Sequence, residues 1–425
     1  MRILHICPFR DYGRASTAGG KTISTWGLIQ HQIAVGHEVF QLSLTDEQDS
    51  GQTPPDHLSK VKTFALSKLE GRWSNMFRMN WKHLIKLATQ RSLREVLIVC
   101  RNANKVRLLI KEIKPDIIHL HYSNSWFPIA FRMCNIHIPL LTTCYAWHSL
   151  EHHISQENIY MEKRERYYSQ TTIGLSDLVV LISEHNSTIA ESIGLHFPKG
   201  FKVVHLPLPE GLTGVMNKNE CKMKLSLPDQ KIIVFCGLLK WQGRKRLDLL
   251  IKAVGDKEEL RRNYIVVVIG NGDGRADYQK IADEMEVDCR FTGNINDHSL
   301  MSLYYNASDV FALPSDAEGW GVVYMEALYS GIPVIGYPFT MSALRQIVGD
   351  GVCEPFDTKH ETSENLAEKL LRLSNLNCDR EDLSKKIRDC FSGDVIHRRY
   401  DDIYRDLILK SMGEKYEKCS DCRWV

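Results

Sequence analysis

Strand-like and helix-like segments alternate along the chain, and this alternation restricts the fold more than any other feature. Short strand patterns such as 2–7 and 117–121 are each followed by a longer stretch in which apolar residues recur at helical spacing. Parallel strands need a crossover of about a dozen residues or more, and that crossover is usually a helix. The pattern therefore predicts an α/β fold with parallel sheets covered on both faces.

The alternation occurs in two series, which indicates two domains. The first series ends near 178–182, a polar stretch with several prolines follows, and the second series runs from 232–236 to 333–337. We predict an N-terminal Rossmann-like domain at 1–205, a linker at 206–228, a second Rossmann-like domain at 229–395 and a C-terminal helix at 396–425. Ligands of open α/β sheets bind at the carboxyl ends of the strands, so we expect the site in the cleft between the domains.

Charge is distributed unevenly between these parts. Residues 1–228 carry a net charge of +8 and residues 229–395 one of −7, although the whole chain has only +2. Between Lys60 and Lys114 there are 14 basic and 3 acidic residues, with aromatic residues among them. This composition suits contact with an anionic membrane surface or nucleic acid, and a solvated helical face is the alternative. The sequence motifs of the second domain count against nucleic acid, which leaves the solvated face and a membrane surface or anionic acceptor.

Nothing in the sequence indicates a membrane span or a disulfide framework. The longest apolar runs, such as 265–269, are far shorter than the roughly 20 residues of a spanning helix. The N-terminus lacks the apolar region of a signal peptide. Cys419 and Cys422 form the one close cysteine pair, which is too few ligands for a structural zinc site. We expect a cytoplasmic protein that could lie peripherally at the inner membrane face.

The most informative motif follows the strand pattern at 310–313. A loop containing Glu318, Gly319 and Gly321 leads into a helix that contains Glu326. The free N–H groups and positive dipole end of such a helix suit a phosphate or sugar oxygens. Glu326 lies about two helical turns beyond Glu318. Two carboxylates spaced in this way suit a ligand with many hydroxyls, such as a sugar joined to a ribose.

A second motif begins where the strand pattern at 232–236 ends. Gly237 is followed by a basic loop, with Arg244 and Lys245, and then by a helix. Cations at this place can neutralise a diphosphate leaving group. A glycine cluster at 270–274 follows the next strand, but tight turns use glycine in any case.

Together these motifs resemble the donor site of the retaining glycosyltransferases of family 4, which have the GT-B fold. The resemblance implies that Glu318 lies near the transferred sugar, that Glu326 binds ribose hydroxyls and that the nucleobase lies near Ile295. It implies that backbone groups hold the sugar and phosphates at Gly319, Trp320, Gly321, Val322 and Val323. In the N-terminal domain, Gly20 resembles part of the family's loop that approaches the diphosphate. The resemblance also implies that the C-terminal helix packs back on the N-terminal domain.

Three positions depart from the family's pattern. Leu238 replaces an expected arginine, and alignment from the helix places Lys245 on the family's lysine and Arg246 on its glycine. Arg244 is the candidate for the missing guanidinium. The family's sugar-contacting histidine falls on Tyr145, with His148 three residues later. Either His148 reaches the site through a longer loop or Tyr145 takes over the hydrogen bond, and we favour His148.

The expected function is transfer of a hexosyl group from a nucleotide-diphosphate sugar to an acceptor hydroxyl, with retention at the anomeric carbon. The acceptor is expected to be a glycan, a lipid-linked molecule or a small molecule in cell-surface glycan or glycolipid assembly. No Asp-x-Asp motif follows a strand, so we expect no cofactor and no divalent metal. The alternatives are a nucleotide-sugar epimerase or phosphorylase of the same architecture and a catalytically silent nucleotide-sugar-binding protein.

Overall fold

The computed structural model describes residues 1–7, 20–44, 60–66, 69, 85, 88–89, 91, 93–121, 124–134, 136–147 and 158–413. These residues form two compact units, each built on its own parallel sheet. Most of the described residues up to His205, together with those from His397 on, belong to the first unit, and 206–396 form the body of the second. The predicted α/β class with two Rossmann-like sheets is confirmed.

The first unit contains a seven-stranded sheet in the order β3-β2-β1-β4-β5-β6-β7. Its strands are β1 (Arg2–Cys7), β2 (Glu38–Ser43), β3 (Lys62–Ala65), β4 (Ile117–Leu120), β5 (Leu140–Cys144), β6 (Leu178–Leu181) and β7 (Lys202–Val203). All of their pairings are parallel. Every residue of β4 and β5 is buried, as expected for central strands of a sheet covered on both faces.

The helices of the first unit begin at polar caps where the sequence provides them. They are α1 (Gly20–Ala34), α2 (Leu93–Ile113), α3 (Phe127–Met133), α4 (Ile159–Leu175) and α5 (Glu184–Ser192). The Asn158 side chain accepts a hydrogen bond from the Met161 amide at the start of α4. Ser183 accepts one from the Asn186 amide at the start of α5. Such caps satisfy amides that have no acceptor within the helix.

The second unit contains a six-stranded parallel sheet in the order β10-β9-β8-β11-β12-β13. Its strands are β8 (Lys231–Cys236), β9 (Tyr264–Ile269), β10 (Cys289–Gly293), β11 (Val310–Ala312), β12 (Val334–Gly336) and β13 (Cys353–Pro355). Its helices are α6 (Lys218–Lys224), α7 (Leu247–Asp256), α8 (Glu258–Asn263), α9 (Arg275–Glu284), α10 (His298–Ala307), α11 (Val322–Tyr329), α12 (Pro338–Val348), α13 (Ser363–Ser374) and α14 (Arg380–Phe391). A final helix, α15 (Gly393–Ser411), begins in this unit and continues in the first.

The structure differs from the sequence-based expectation in short or polar elements. The sequence did not indicate β3, β7 or β13, which have four residues or fewer and lie at the sheet edges. The stretch 206–228, predicted to be a linker, contains α6, where Lys218 Nζ donates to Asp309 Oδ1 at 2.7 Å. A polar surface helix of seven residues has too little apolar periodicity to be seen in the sequence.

Helix α15 buries the apolar residues that the sequence placed at helical spacing. Ile396, Tyr400, Ile403, Tyr404 and Leu407 are all buried. The remainder of the predicted helix, beyond residue 413, lies outside the described residues. In the part of the chain that the structure describes, no helix combines the length and hydrophobicity needed to cross a membrane.

Candidate functional site

Helix α11 begins at a glycine that no other residue could replace without strain. Gly321 caps the helix with φ of +71°, in the left-handed region. A Cβ at this position would lie 2.5 Å from the ring of Tyr324, whose hydroxyl donates to the Leu313 carbonyl at 2.8 Å. The turn that starts the helix therefore requires glycine, both for its positive φ and to leave room for the Tyr324 ring. Val322 and Val323 lie in the first turn, where amides have no acceptor inside the helix and suit phosphate or sugar oxygens.

Glu318, in the loop before α11, is a buried carboxylate with a cationic partner. Its side chain is 7% exposed, and Lys245 Nζ donates to Glu318 Oε1 at 2.5 Å. Burial opposes ionisation, but Lys245 together with the nearby Arg244 charge outweighs it and lowers the pKa of Glu318. The carboxylate is therefore ionised at neutral pH. The structure brings together one residue from each of the two predicted motifs.

Arg246 stands where the family's pattern has glycine, and its backbone conformation explains how. Arg246 caps α7 with φ of +52° and ψ of +45°, which is the left-handed region that glycine adopts without cost. Its guanidinium bonds the carboxylates of Asp248 and Asp316 at 3.2 Å each. The Asp316 amide also donates to the Arg244 carbonyl at 2.8 Å. An arginine can thus occupy a turn that suits glycine because its ion pairs tie the β8–α7 loop to the loop before α11.

The glycine cluster at 270–274 packs directly on the backbone of the β8–α7 loop. A Cβ on Gly270 would lie 2.0 Å from the Gly237 carbonyl oxygen, and one on Gly272 would lie 2.1 Å from the Leu239 carbonyl oxygen. The Leu239 amide also donates to the Asn271 carbonyl at 3.1 Å. These glycines are required because two loops at the carboxyl ends of β8 and β9 touch without side chains between them.

Glu326 lies within α11 and has a different environment from Glu318. It is 7% exposed, and the Tyr305 hydroxyl of α10 donates to Glu326 Oε2 at 2.7 Å. Burial raises the pKa of Glu326 to about 7, and the hydrogen bond from Tyr305 only partly offsets this. Sequence reasoning missed Tyr305, because a tyrosine in an amphipathic helix gives no signal of its partner.

The other residues predicted for the donor site differ in how their side chains are placed. The Trp320 indole is buried, donates to Met325 Sδ at 3.1 Å and packs against Phe391. Its side chain belongs to the core, which leaves its backbone as the part that could meet a ligand. Leu238 is 67% exposed in the β8–α7 loop, and Ile295 is half-buried just after β10.

The site residues predicted before residue 206 are only partly described. Gly20 is the first residue of α1, and His148 lies outside the described residues. Tyr145 follows β5, and its hydroxyl lies 2.8 Å from His121 Nδ1 and 3.0 Å from Thr25 Oγ1. The Tyr145 hydroxyl is therefore engaged inside the unit.

A buried histidine network continues from Tyr145. His121 Nε2 lies 2.8 Å from His5 Nδ1, and His5 Nε2 lies 2.7 Å from Gln32 Oε1. Burial lowers the pKa of His5 to about 4, so this ring is neutral at pH 7. Because Gln32 Oε1 can only accept, His5 carries its proton on Nε2 and accepts at Nδ1 from His121. His121 Nδ1 then accepts from the Tyr145 hydroxyl.

The same network reaches helix α15. Gln32 Nε2 donates to the Tyr404 hydroxyl at 3.1 Å, and that hydroxyl lies 2.7 Å from His119 Nδ1. His119 Nε2 lies 2.8 Å from Thr143 Oγ1. Among the described residues, one group of three potential metal-ligand side chains is close enough to share an ion, and it consists of His5, His119 and His121. Each of their ring nitrogens already has a hydrogen-bonding partner in the protein, so the geometry is that of a structural polar network.

Comparison with known families now identifies the chain. The family described as Glycosyl transferases group 1 matches residues 217–389, which contain both glutamates. The family described as Glycosyltransferase Family 4 matches residues 18–199. The chain is a glycosyltransferase of this type. The predicted resemblance to family 4 is confirmed, and the two matches fall on the two units of the structure.

Three curated relatives carry names that refer to a glycolipid or to an inositol compound. Alpha-monoglucosyldiacylglycerol synthase of Streptococcus pneumoniae is 23% identical, over 74% of this chain and 72% of its own length. D-inositol 3-phosphate glycosyltransferase of Corynebacterium aurimucosum is 26% identical, over 53% of this chain and 56% of its own length. A Corynebacterium glutamicum relative, 27% identical over 37% of this chain and 42% of its own length, is named as a GDP-mannose-dependent mannosyltransferase of a phosphatidylinositol monomannoside.

Solved structures confirm the GT-B fold over nearly the whole chain. Sucrose-phosphate synthase from Thermosynechococcus elongatus matches with a TM-score of 0.68 and 16% identity, covering 96% of this chain and 99% of that one. The Anabaena protein HepE, solved in complex with UDP and glucose, matches with a TM-score of 0.63 and 17% identity, covering 95% and 99%. At such identities the likeness concerns the fold alone.

Proposed function

We propose that this glycosyltransferase moves a hexosyl group from a nucleotide-diphosphate sugar to an acceptor hydroxyl and retains the anomeric configuration. The observation that carries the proposal is the pair of buried glutamates flanking the start of α11, one paired with Lys245 and the other held by Tyr305. First-turn amides of α11 lie between them in sequence. This arrangement provides separate places for the sugar, the phosphates and a ribose.

Each group then has a role in the transfer. Lys245 and Arg244 would neutralise the diphosphate, which gains negative charge as it takes the electron pair of the sugar–phosphate bond. The acceptor hydroxyl forms the new bond to the anomeric carbon and gives its proton to the departing phosphate. Attack from the face that the phosphate leaves would retain the configuration. Because these cations can supply the charge, we propose that the reaction needs no divalent metal.

Glu318 is proposed to lie beside the transferred sugar. In the unbound site its charge balances Lys245, and a bound diphosphate would compete with it for the same ammonium group. Glu318 would then be released to accept hydrogen bonds from sugar hydroxyls. Whether His148 also contacts the sugar stays a prediction.

The donor experiment uses the two sugar nucleotides that the related proteins suggest. HepE was solved with UDP and glucose, and one curated relative is named as GDP-mannose-dependent. We expect UDP-glucose or GDP-mannose to raise the melting temperature of the protein and to release nucleoside diphosphate when a lipid or inositol acceptor is added, with or without EDTA. The α configuration of the product's anomeric proton signal would indicate retention. Activity that disappears in EDTA and returns with Mn²⁺ would contradict metal independence, and epimerised donor without transfer would favour the epimerase.

We further propose that the first unit contacts the inner membrane surface through the segment between Lys60 and Lys114. The described part of this segment includes α2, on which Leu97, Ile98 and Leu108 are exposed beside the exposed Arg94 and Arg101. Apolar and basic residues on one helix face suit an anionic lipid surface. The glycolipid names of the relatives support a lipid-linked acceptor.

Vesicle sedimentation tests this contact. We expect the protein to bind vesicles that contain phosphatidylglycerol and not vesicles of phosphatidylcholine alone, with less binding at high salt. Ile98→Glu should weaken binding several-fold, whereas Leu376→Glu, at an exposed position in the second unit, should not. Equal binding by both variants would contradict the proposal.

A further inference from the structure

The two glutamates of the donor site differ in what holds them. Glu318 faces an ammonium group, since Lys245 Nζ bonds its Oε1 at 2.5 Å. Glu326 is equally buried, but the hydrogen bond to its carboxyl comes from the neutral phenol of Tyr305, at 2.7 Å to Oε2. A buried carboxyl with a neutral donor and no cation favours its protonated form.

The titratable groups packed around Glu326 do not supply the missing charge. Cys236 of β8 lies beside Tyr305, and burial raises the pKa of its thiol to about 12, so it is neutral. Burial also raises the pKa of Tyr305 well above its ordinary value, and the phenol keeps its proton. Lys245 is bonded to Glu318, and Arg380 of α14 donates to the carbonyls of Gly331 and Ser330 and to Asn306 Oδ1. In the described part of the unit, no cation is seen bonded to Glu326.

We propose that Tyr305 is a positioning residue that fixes Oε2 of Glu326, and that the carboxyl holds a proton in the free enzyme and releases it when the donor ribose binds. This inference rests on the proposed function, because it assigns the ribose to Glu326. The proton passes to solvent. The two ribose hydroxyls keep their protons and donate hydrogen bonds to the carboxylate. Only the ionised carboxylate can accept both of these hydrogen bonds in addition to the one from Tyr305.

Donor binding should therefore depend on pH. Below about pH 7 the donor must displace a proton, so affinity should fall by up to about tenfold for each unit of pH. Above this range the carboxyl is already ionised and the affinity should level off. Glu318 should not contribute to this dependence, because Lys245 keeps it ionised throughout the same range.

Calorimetry in two buffers of different ionisation enthalpy measures the proton directly. The probes are UDP-glucose and GDP-mannose without acceptor, since a free nucleoside diphosphate has a terminal phosphate that itself titrates near pH 6. We expect release of about one proton per bound sugar nucleotide at pH 6 and almost none at pH 8.5. Glu326→Gln should abolish the release, because the amide does not titrate.

Tyr305→Phe tests the positioning role. Loss of the phenol removes a hydrogen bond that favours the ionised carboxyl, so proton release should continue at a higher pH than in the wild type. The donor KM should rise several-fold while kcat at saturating donor changes little. Tyr264→Phe is the matched control, since the Tyr264 hydroxyl bonds Ser374 Oγ at 2.7 Å in the same unit. It should leave the pH profile unchanged.

The outcomes separate this inference from the proposed function. Binding of either sugar nucleotide without proton release, or a Tyr305→Phe profile that matches the wild type, would overturn the inference and leave the donor site intact. Infrared spectroscopy of the free enzyme supplies an independent readout, the C=O stretch of a protonated carboxyl that disappears in Glu326→Gln. Absence of that band at pH 6 would also overturn the inference. Failure of both sugar nucleotides to bind, with the band present, would contradict the proposed donors and the ribose assignment together.

Discussion

At the scale of single residues, the candidate site contains groups whose burial or backbone conformation is unusual for their residue type. Glu326 is buried without a cation, Glu318 is buried beside one, and Arg246 occupies backbone space that suits glycine. Residues that break local rules in this way often mark functional sites. The sequence predicted the two glutamates from their spacing around a helix start. It could not predict their different proton affinities, because these depend on Lys245 and Tyr305, which come from other parts of the chain.

The stability cost of Glu326 can be measured. Its pKa is about 7 in the folded protein against an ordinary value of 4.5, so the unfolded chain ionises first as pH rises. Stability is therefore lost between pH 4.5 and 7, by about 3 kcal/mol, since each pKa unit corresponds to about 1.4 kcal/mol. We expect Glu326→Gln to be more stable than the wild type by about 2–3 kcal/mol at pH 8 and little different at pH 4.5 in urea denaturation. A difference that does not vary with pH would contradict this.

At the scale of elements, the candidate site is formed by loops at the carboxyl ends of the strands. The sequence predicted the strand–loop–helix order of the second unit, because apolar residues recur at different spacings in buried strands and in amphipathic helices. It missed edge strands such as β13 and the polar helix α6, because their sequences are short and show little hydrophobic periodicity. The glycine cluster at 270–274 was only a weak indication of a site, because tight turns use glycine in any case. The cluster is required because the β8–α7 loop packs directly on it, a contact between segments distant in sequence.

Gly272→Ala tests this packing. The new Cβ would meet the Leu239 carbonyl oxygen at 2.1 Å, so backbone must move. We expect a loss of about 1–3 kcal/mol in the free energy of unfolding, together with weaker donor binding. Gly174→Ala is the control, because it lies within α4 with no atom in reach of its Cβ. It should raise stability by up to about 1 kcal/mol. Equal effects of the two substitutions would contradict the steric account.

At the scale of the whole molecule, a polar network joins α15 to the first sheet. Tyr404 of the helix contacts His119 and Gln32, and the chain of bonds continues through His5. The sequence predicted a helix at this place. The histidine network could not be predicted, because its histidines lie on strands that are far apart in sequence and come into contact only in the folded sheet. The domain limits predicted from the sequence remain predictions.

Acid should weaken this network. Burial lowers the pKa of His5 to about 4 and that of His119 well below 6.5, the ordinary histidine value. Their contribution to stability is present above pH 6.5 and is lost as pH falls toward 4, because the unfolded chain takes up protons first. In the Glu326→Gln background, which removes the opposing carboxyl, we expect the urea midpoint to drop across this range. His5→Gln should flatten the drop, whereas His360→Gln, at an exposed side chain, should not. An unchanged slope in His5→Gln would contradict the account.

We propose that the carboxylate of Glu318, which pairs with Lys245 in the unbound site, acts on the transferred sugar once the donor is bound. The most direct measurement compares nucleoside diphosphate release from the sugar nucleotide that binds, in the presence of acceptor, for the wild type and Glu318→Gln. We predict that the variant binds the donor within a factor of about three and turns over at least about 100-fold more slowly, as expected for loss of a group that stabilises the transition state. Turnover equal to the wild type would contradict the claim.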